Sequence, residues 1–181
     1  ATYKTLYSVI KDCNMVIGNM DDTESDLART LLGTAWSIRS ICYYNLMQRY
    51  CEPYQPETAK ETLGLPLVDD FDMEAKPARA NLKETAEFIE EGFRKALSYN
   101  VSNEDFIFTS SVTKAYFARF FFWTQNWSNA ITYAKEVLEK YPMLEADEYV
   151  EAINQKQAKA HNVIIRSFTM DDDIGTMSYA T

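Results

Sequence analysis

The chain has 181 residues, a length typical of one domain. Its formal net charge is −9, which argues against a surface that neutralises many phosphates. We therefore set nucleic-acid binding aside. No run approaches the ~20 apolar residues that span a bilayer, and the chain starts without Met or an apolar signal segment, so we expect a mature form or an excised piece. Aromatic residues make up 14% of the chain, and such an excess has to be buried or to bind something.

Apolar spacing predicts two helices in the first fifty residues. The first covers about Tyr3 to Ile17, and the second covers roughly Glu24 to Tyr50 with Asp22 and Thr23 as candidate caps. The second helix is apolar on almost every side between Ala35 and Met47, so we expect it in the middle of the domain. The apolar stripe of the first helix consists of Leu6, Ile10, Cys13 and Ile17.

Arg39 lies within the apolar part of the second helix. Since a buried charge needs partners, we predict a core arginine satisfied by a carboxylate or by helix-end carbonyls. An arginine that binds a ligand is the alternative.

The three cysteines are Cys13, Cys42 and Cys51, with no CxxC motif and one histidine, so we expect no zinc site. Cys13 and Cys42 lie on apolar helix faces, which predicts buried thiols. A disulfide between them is the alternative if the first two helices are antiparallel neighbours.

The helical period is lost from Cys51 to Ala80, which predicts a long irregular loop of a kind that is often functional. Within it, Gly64–Val68 is expected to be extended and held to the surface by its apolar side chains. Asp69, Asp70 and Asp72 resemble a metal-ligand cluster, but they lack the glycine and glutamate of a calcium loop. We therefore expect a solvated acidic turn and no metal.

A third helix is predicted to begin at Asn81, because Glu84 follows three residues later as in a capping box, and to end near Tyr99-Asn100. Its apolar stripe consists of Leu82, Ala86, Ile89, Phe93 and Ala96.

Thr109–Pro142 predicts two antiparallel helices joined at Gln125-Asn126, with Asn126 capping the second helix. Small and large residues alternate along the seam, as in a tetratricopeptide hairpin. One such hairpin cannot bury both of its faces, so we expect neighbours. The predicted seam consists of Ala115, Ala118 and Phe122 in the first helix, and Trp127, Ala130, Ile131, Ala134, Val137 and Leu138 in the second, with Phe117, Phe121 and Trp127 filling the space around them.

The remaining residues predict a weaker helix over Ala146–Ala160, a short strand over Asn162–Phe168, and an acidic irregular tail that ends as if the natural chain continued. The sequence thus predicts a single all-α domain over residues 1–181, with tetratricopeptide-like hairpins, a core hairpin at 109–142, a long irregular loop at 51–80 and at most a short strand near the C-terminus.

The sequence has no local motif of nucleophile, base and orienting acid, no phosphate-binding glycine loop and no HExxH. His161 lies in a polar stretch and is expected on the surface. We therefore predict no catalytic residue and no cofactor. Helical scaffolds of this kind typically bind partners along a surface.

An ordered set of segments over residues 3 to about 168 resembles one known family. These segments are Leu6–Ile10 with Asn14; Gly33–Ser40, similar to the pattern "GEAxFLRA" and continued by Tyr43, Tyr44, Leu46 and Tyr50; Gly64–Val68, similar to "GxPLV"; Arg79 with Phe88, Ile89, Phe93 and Ala96; Lys114, Ala115, Ala118, Arg119, Asn126–Ala130 and Ala134; and Asn162–Ile165. Together they resemble the SusD/RagB family of nutrient-binding outer-membrane lipoproteins from Bacteroidetes. Two positions depart from the pattern: Cys51 stands in place of a glycine, and Gly92 stands in place of an aspartate at a cost of ~1 kcal/mol in helix propensity.

The resemblance implies a non-catalytic protein that captures oligosaccharides or other nutrients for a SusC-like TonB-dependent transporter in polysaccharide utilisation. It implies an outward-facing position at the outer membrane, held in the full-length protein by a lipid anchor that we expect to lie outside this chain. Family members also carry a large C-terminal half, so this chain is expected to be the helical-repeat portion of a larger protein. No ligand-binding residue can be transferred, and Tyr50 and Tyr54 at the mouth of the long loop are the best local candidates, with packing as their more expected role.

Two other functions follow from the residues. One is a generic tetratricopeptide-like scaffold for protein–protein interaction, with the hairpin as its motif. The other is an α-helical enzyme assembled from scattered residues, for which Asp69, Asp70, Asp72 and His161 would be the raw material.

Overall fold

The protein is described by a computed structural model that covers residues 3–21, 25–70, 77–103, 107–154 and residue 164. The all-α prediction is confirmed, because these residues form six helices and one two-stranded sheet. The helices are α1 (Tyr3–Asn19), α2 (Asp26–Tyr50), α3 (Leu82–Ser98), α4 (Ser110–Trp123), α5 (Trp127–Lys140) and α6 (Ala146–Asn154). The strands are β1 (Leu63–Pro66) and β2 (Arg79–Asn81).

Helix α2 is the central element, as its apolar circumference predicts. It packs against α1, α3, α4 and β1. Ser25 caps its N-terminus by accepting a hydrogen bond from the backbone N–H of Ala28 at 3.1 Å. The predicted caps Asp22 and Thr23 lie outside the described residues.

The loop at 51–80 is more regular than predicted, because β1 and β2 pair as antiparallel strands within it. The extended segment is held as the sequence indicated: Leu65 is 1% exposed, and its backbone N–H donates to Thr85 Oγ1 at 3.0 Å. Arg79 adds a hydrogen bond from Nε to the carbonyl of Gly64 at 2.6 Å. The strand predicted at 162–168 lies outside the described residues except for residue 164.

Helix α3 begins with the predicted capping box. The backbone N–H of Glu84 donates to Asn81 Oδ1 at 2.8 Å, and the backbone N–H of Asn81 donates to Glu84 Oε2 at 3.1 Å. The predicted apolar stripe of this helix is fully buried. Near its middle, Gly92 lies so close to Ser40 of α2 that a Cβ atom would overlap the Ser40 hydroxyl.

The hairpin of α4 and α5 is confirmed, with Gln125 in the left-handed region at φ 60° and Asn126 accepting from the backbone N–H of Asn129 at 3.4 Å. The predicted seam is partly wrong. Phe122, Trp127 and Ile131 are 58%, 52% and 55% exposed. The buried positions are Val112, Thr113, Phe117, Phe120 and Phe121 in α4, and Ala130 and Val137 in α5.

The seam differs from the prediction because the hairpin has two apolar faces and only one of them packs inward. Phe121 and Phe122 are adjacent and equally apolar, but successive helical residues differ by about 100° in direction. Phe93 of α3 stacks on Phe117 at 5.1 Å between ring centroids, and this contact turns the face with Phe117 inward. The opposite face, which we call the outer face of the hairpin, stays exposed. It consists of Phe122, Trp123, Trp127, Ile131 and Leu138.

Part of the aromatic surplus lies in the core, as the composition allowed. The largest fully buried side chains include Tyr43, Tyr44, Phe93, Phe117, Phe120 and Phe121. Within the described part of the chain, no helix combines the length and the apolar character needed to cross a membrane.

Candidate functional site

Tyr50, one of the two candidate ligand residues, belongs to a tyrosine cluster at the base of the loop. Its ring meets Tyr3 edge-on at 5.1 Å between centroids, and Tyr3 contacts Tyr7 at 4.7 Å. Tyr3 and Tyr50 are 40% and 42% exposed, so their rings offer an aromatic surface to solvent. The Tyr7 hydroxyl donates to the carbonyl of Pro66 at 2.8 Å, and burial raises the pKa of this phenol, which keeps it a neutral donor.

Tyr54, the other candidate, packs against the hydrophobic core instead. Its carbonyl accepts from Gln125 Nε2 at 3.0 Å, which ties the loop to the hairpin turn. Burial also raises the pKa of the Tyr54 phenol. The surroundings of Tyr54 fit a packing role.

Arg39 is the core arginine that the sequence predicted, at 3% exposure. Its main partner is neither a carboxylate nor a helix-end carbonyl, because Nη1 donates to the side-chain oxygen of Asn14 at 2.8 Å. The guanidinium lies over the ring of Trp36 at 4.1 Å and within 5.2 Å of the Phe88 ring. Burial lowers the pKa of Arg39, because the charged guanidinium loses hydration inside the protein.

The Arg39–Asn14 pair holds the chain that follows β1. Asn14 Nδ2 donates to the carbonyls of Val68 and Asp70 at 3.0 and 3.2 Å. The Tyr43 hydroxyl accepts from the backbone N–H of Val68 at 2.8 Å. These hydrogen bonds join α1, α2 and the loop, which gives Arg39 a structural role.

Two of the three aspartates of the acidic turn, Asp69 and Asp70, lie among the described residues. Asp69 and Asp70 are exposed, and no group of three or more His, Cys, Asp or Glu in the described ranges could hold a metal ion. Asp72 and His161, the other residues of the enzyme hypothesis, lie outside those ranges.

Cys13 and Cys42 are buried free thiols, as predicted. Burial raises the pKa of Cys13 to about 11 and that of Cys42 to about 12. Cys51 is partly buried and free, and burial raises its pKa as well. At neutral pH all three are held as weakly reactive thiols.

An open cleft of about 730 Å³ lies where the C-terminal end of α1 meets α2 and the end of α3. Trp36 and Tyr99 supply its rings, and Asn19, Asp21 and Lys95 supply its polar groups. Sequence analysis missed this site, because its residues come from three separate helices and Trp36 was assigned to the core. The signal that the sequence offered was the polar pair Asn19 and Asp21 at the end of α1, together with Trp36 in α2.

A family model matches residues 1–122, and the family is a SusD-like one described as starch-binding and associating with the outer membrane. Among curated proteins nothing matches the chain.

Solved structures share the fold at low identity. A putative sugar-binding protein from Bacteroides vulgatus is 22% identical with a TM-score of 0.78, over 94% of this chain and 41% of that one. A SusD superfamily protein from the same species is 16% identical with a TM-score of 0.80, over 94% and 41%. A laminarin-binding SusD-like protein is 14% identical with a TM-score of 0.65, over 92% and 37%. The chain therefore spans about two fifths of the length of the structures that it matches.

Proposed function

The chain belongs to the SusD-like family, and from this premise we propose that it is part of a non-catalytic, glycan-binding component of an outer-membrane uptake system. The observation that carries the proposal is the family match over residues 1–122 of the 181. The ordered motifs of the sequence and the similar folds of sugar-binding and laminarin-binding proteins support it.

We further propose that the intact protein works with a SusC-like TonB-dependent transporter and faces outward from the outer membrane on a lipid anchor. Residues 1–181 would then be one helical domain of a larger protein. The support is the described association of the family with the outer membrane and the 41% share of the matched structures that this chain covers.

The proposal is tested on the intact gene product in two steps. Outer membranes are isolated, solubilised and purified through a tag on that product, and the proteins that come with it are identified. We expect a TonB-dependent transporter. The purified product is then run through native gels that contain polysaccharides, where we expect retardation by at least one glycan. A product that is absent from the outer membrane, or that carries no transporter and no glycan affinity, would overturn the proposal.

The second candidate function is a scaffold for protein–protein interaction. It is favoured by the outer face of the hairpin, where Phe122 contacts Trp127 at 5.4 Å between ring centroids and both remain exposed. A tagged product that co-purifies with soluble periplasmic proteins and is retarded by no glycan in the gels would support this function over the first.

A further inference from the structure

Helices α3 and α5 hold equivalent places in two successive helix pairs, α2 with α3 and α4 with α5. Each begins at an asparagine cap, Asn81 or Asn126, whose side chain accepts from the backbone N–H three residues later. Helix α3 packs against α2, and α5 packs against α4. Because Asn126 lies 45 positions after Asn81, each residue of α3 corresponds to the residue of α5 that lies 45 positions later.

One stripe of each helix faces the first helix of its own pair. In α3, the Phe88 ring meets the ring of Tyr43 in α2 at 5.1 Å between centroids. The corresponding residue of α5 is Tyr133, whose ring lies 4.7 Å from that of Phe117 in α4. The two pairs are therefore built in the same way on this side.

A second apolar stripe is covered in α3 and uncovered in α5. Phe93 of α3 stacks on Phe117, in the first helix of the next pair, at 5.1 Å between ring centroids. Its counterpart in α5, Leu138, remains exposed. The contrast extends along both helices. The corresponding residues are Leu82 and Trp127 at 0% and 52% exposure, Ala86 and Ile131 at 6% and 55%, and Phe93 and Leu138 at 0% and 43%.

The outer face of the hairpin thus corresponds to a surface that α3 buries in part against α4. Phe122 meets Trp127 edge-on at 5.4 Å between ring centroids, which joins the end of α4 to α5 in one apolar patch. Helical repeats bury such surfaces by stacking the next pair of helices on the last one. A face of this composition therefore suits the apolar stripe of another helix.

Helix α6 is placed to begin that next pair. Residues 141–145 connect it to α5, and connections this short join antiparallel neighbours. Tyr149 and Val150 of α6 are 46% and 55% exposed. Helix α6 packs against none of the other described elements. Two uncovered apolar surfaces are therefore separated by one short connection.

We propose that in the intact protein α6, together with the residues that follow it, packs on the outer face of the hairpin as the first helix of a third pair. It would contact α5 as α4 contacts α3. Among the described residues no second helix follows α6, and a helix of nine residues is marginal without a partner, so the face stays open in this chain. The inference rests on the proposed function in one respect, which is that the intact protein is longer.

The test is hydroxyl-radical footprinting with mass spectrometry on this chain and on the intact gene product, expressed and purified without its transporter. We expect Trp127 to be readily oxidised in this chain and to lose most of that oxidation in the intact product. Phe93, which is fully buried, is the internal reference and should be protected in both proteins.

The occupant is tested by substitutions in α6 of the intact product. Tyr149→Asp with Val150→Asp should restore the oxidation of Trp127, because a charge opposes burial of that stripe. Asp147→Asn, at an exposed position of the same helix, is the matched control and should leave Trp127 protected. If oxidation of Phe93 also rises in the double variant, the core has opened and the milder Val150→Ser decides.

Equal oxidation of Trp127 in both proteins would overturn the inference. Protection that survives the substitutions in α6 would assign the face to another part of the chain, and protection that is lost on dilution would assign it to a second copy. Either result overturns α6 as the occupant. Glycan retardation and transporter co-purification are separate readouts, so the proposed function can stand when this inference fails, and the reverse.

Discussion

Among the glycines of the described residues, Gly64 has the least room for a side chain. A Cβ atom there would overlap Thr85 Oγ1 and the backbone carbonyl of Asn81. A backbone carbonyl cannot rotate away as a flexible side chain can. The glycine in the "GxPLV"-like segment is therefore required by the close approach of β1 to the start of α3.

Gly92 shows the same effect between helices. The sequence suggested only a cost of ~1 kcal/mol for a glycine within a helix. The structure adds a reason for it, because Gly92 lies where α3 approaches Ser40 of α2 and the Ser40 hydroxyl donates to the carbonyl of Trp36 at 2.8 Å. A larger residue would displace that hydroxyl.

At the residue scale we predict that Gly64→Ala lowers the free energy of unfolding by about 1–3 kcal/mol, the usual cost of overpacking. Urea denaturation followed by circular dichroism measures this change. The matched control is Gly18→Ala, because a Cβ atom at Gly18 meets nothing within 4 Å. Gly18 is in α1, so alanine there should leave stability unchanged or raise it by up to ~1 kcal/mol. Equal losses for both variants would contradict the close approach at Gly64.

Among the elements, α3 and α5 both begin at an asparagine cap, and the two caps differ in quality. Asn81 and Glu84 form a reciprocal pair at 2.8 and 3.1 Å. Asn126 accepts one long hydrogen bond of 3.4 Å at an exposed position. Both asparagines were recognised from the sequence, but only the structure shows that they are not equivalent.

We predict that Asn81→Ala lowers the free energy of unfolding by about 1–2 kcal/mol and Asn126→Ala by about 0.5 kcal/mol. The reason is that Asn81 satisfies the Glu84 amide and holds the Glu84 side chain over its own backbone N–H. Chemical denaturation of both variants, with Asn81→Asp as a conservative replacement that keeps an acceptor, measures the difference. A larger loss at Asn126 than at Asn81 would show that the cap geometry does not determine the contribution.

In the whole molecule, the helices pack around α2, and the α4–α5 hairpin leaves its outer face exposed. Tyr133 of α5 packs between Phe117 and Phe121, at 4.7 and 5.8 Å between centroids, which fixes the inward side of that helix. The outer face then carries two exposed tryptophans. Exposed aromatic patches of this kind typically mark contact sites.

At this scale we predict that two lysine substitutions in α5 change the free energy of unfolding by very different amounts. Ile131→Lys should change the free energy of unfolding by less than about 0.5 kcal/mol, since Ile131 is 55% exposed. Val137→Lys should lower it by about 3 kcal/mol or more, because Val137 is 7% exposed and a charge would be buried there. Thermal unfolding compares the two. A severe loss for Ile131→Lys would restore the seam predicted from the sequence.

The elements could be predicted well because their signals are local. Each signal is contained in a few consecutive residues. Examples are the capping box of α3, the break at Gln125-Asn126 and the loss of helical period after Cys51. Contacts between distant residues could not be predicted in the same way. The pairing of β1 with β2, the Asn14 partner of Arg39 and the cleft at Trp36 and Tyr99 all join segments that are far apart in sequence.

The sequence by itself determined the fold class, the family resemblance, the burial of Arg39 and the burial of Cys13 and Cys42 on the apolar faces of α1 and α2. Only the tertiary structure decided which of two apolar faces of the α4–α5 hairpin turns inward and which glycines have no room for a side chain. The physical reason is that hydrophobicity and helical period fix what a residue prefers locally. Which preference is met depends on the partner that packs against it, here Phe93 against Phe117 and Asn81 against Gly64.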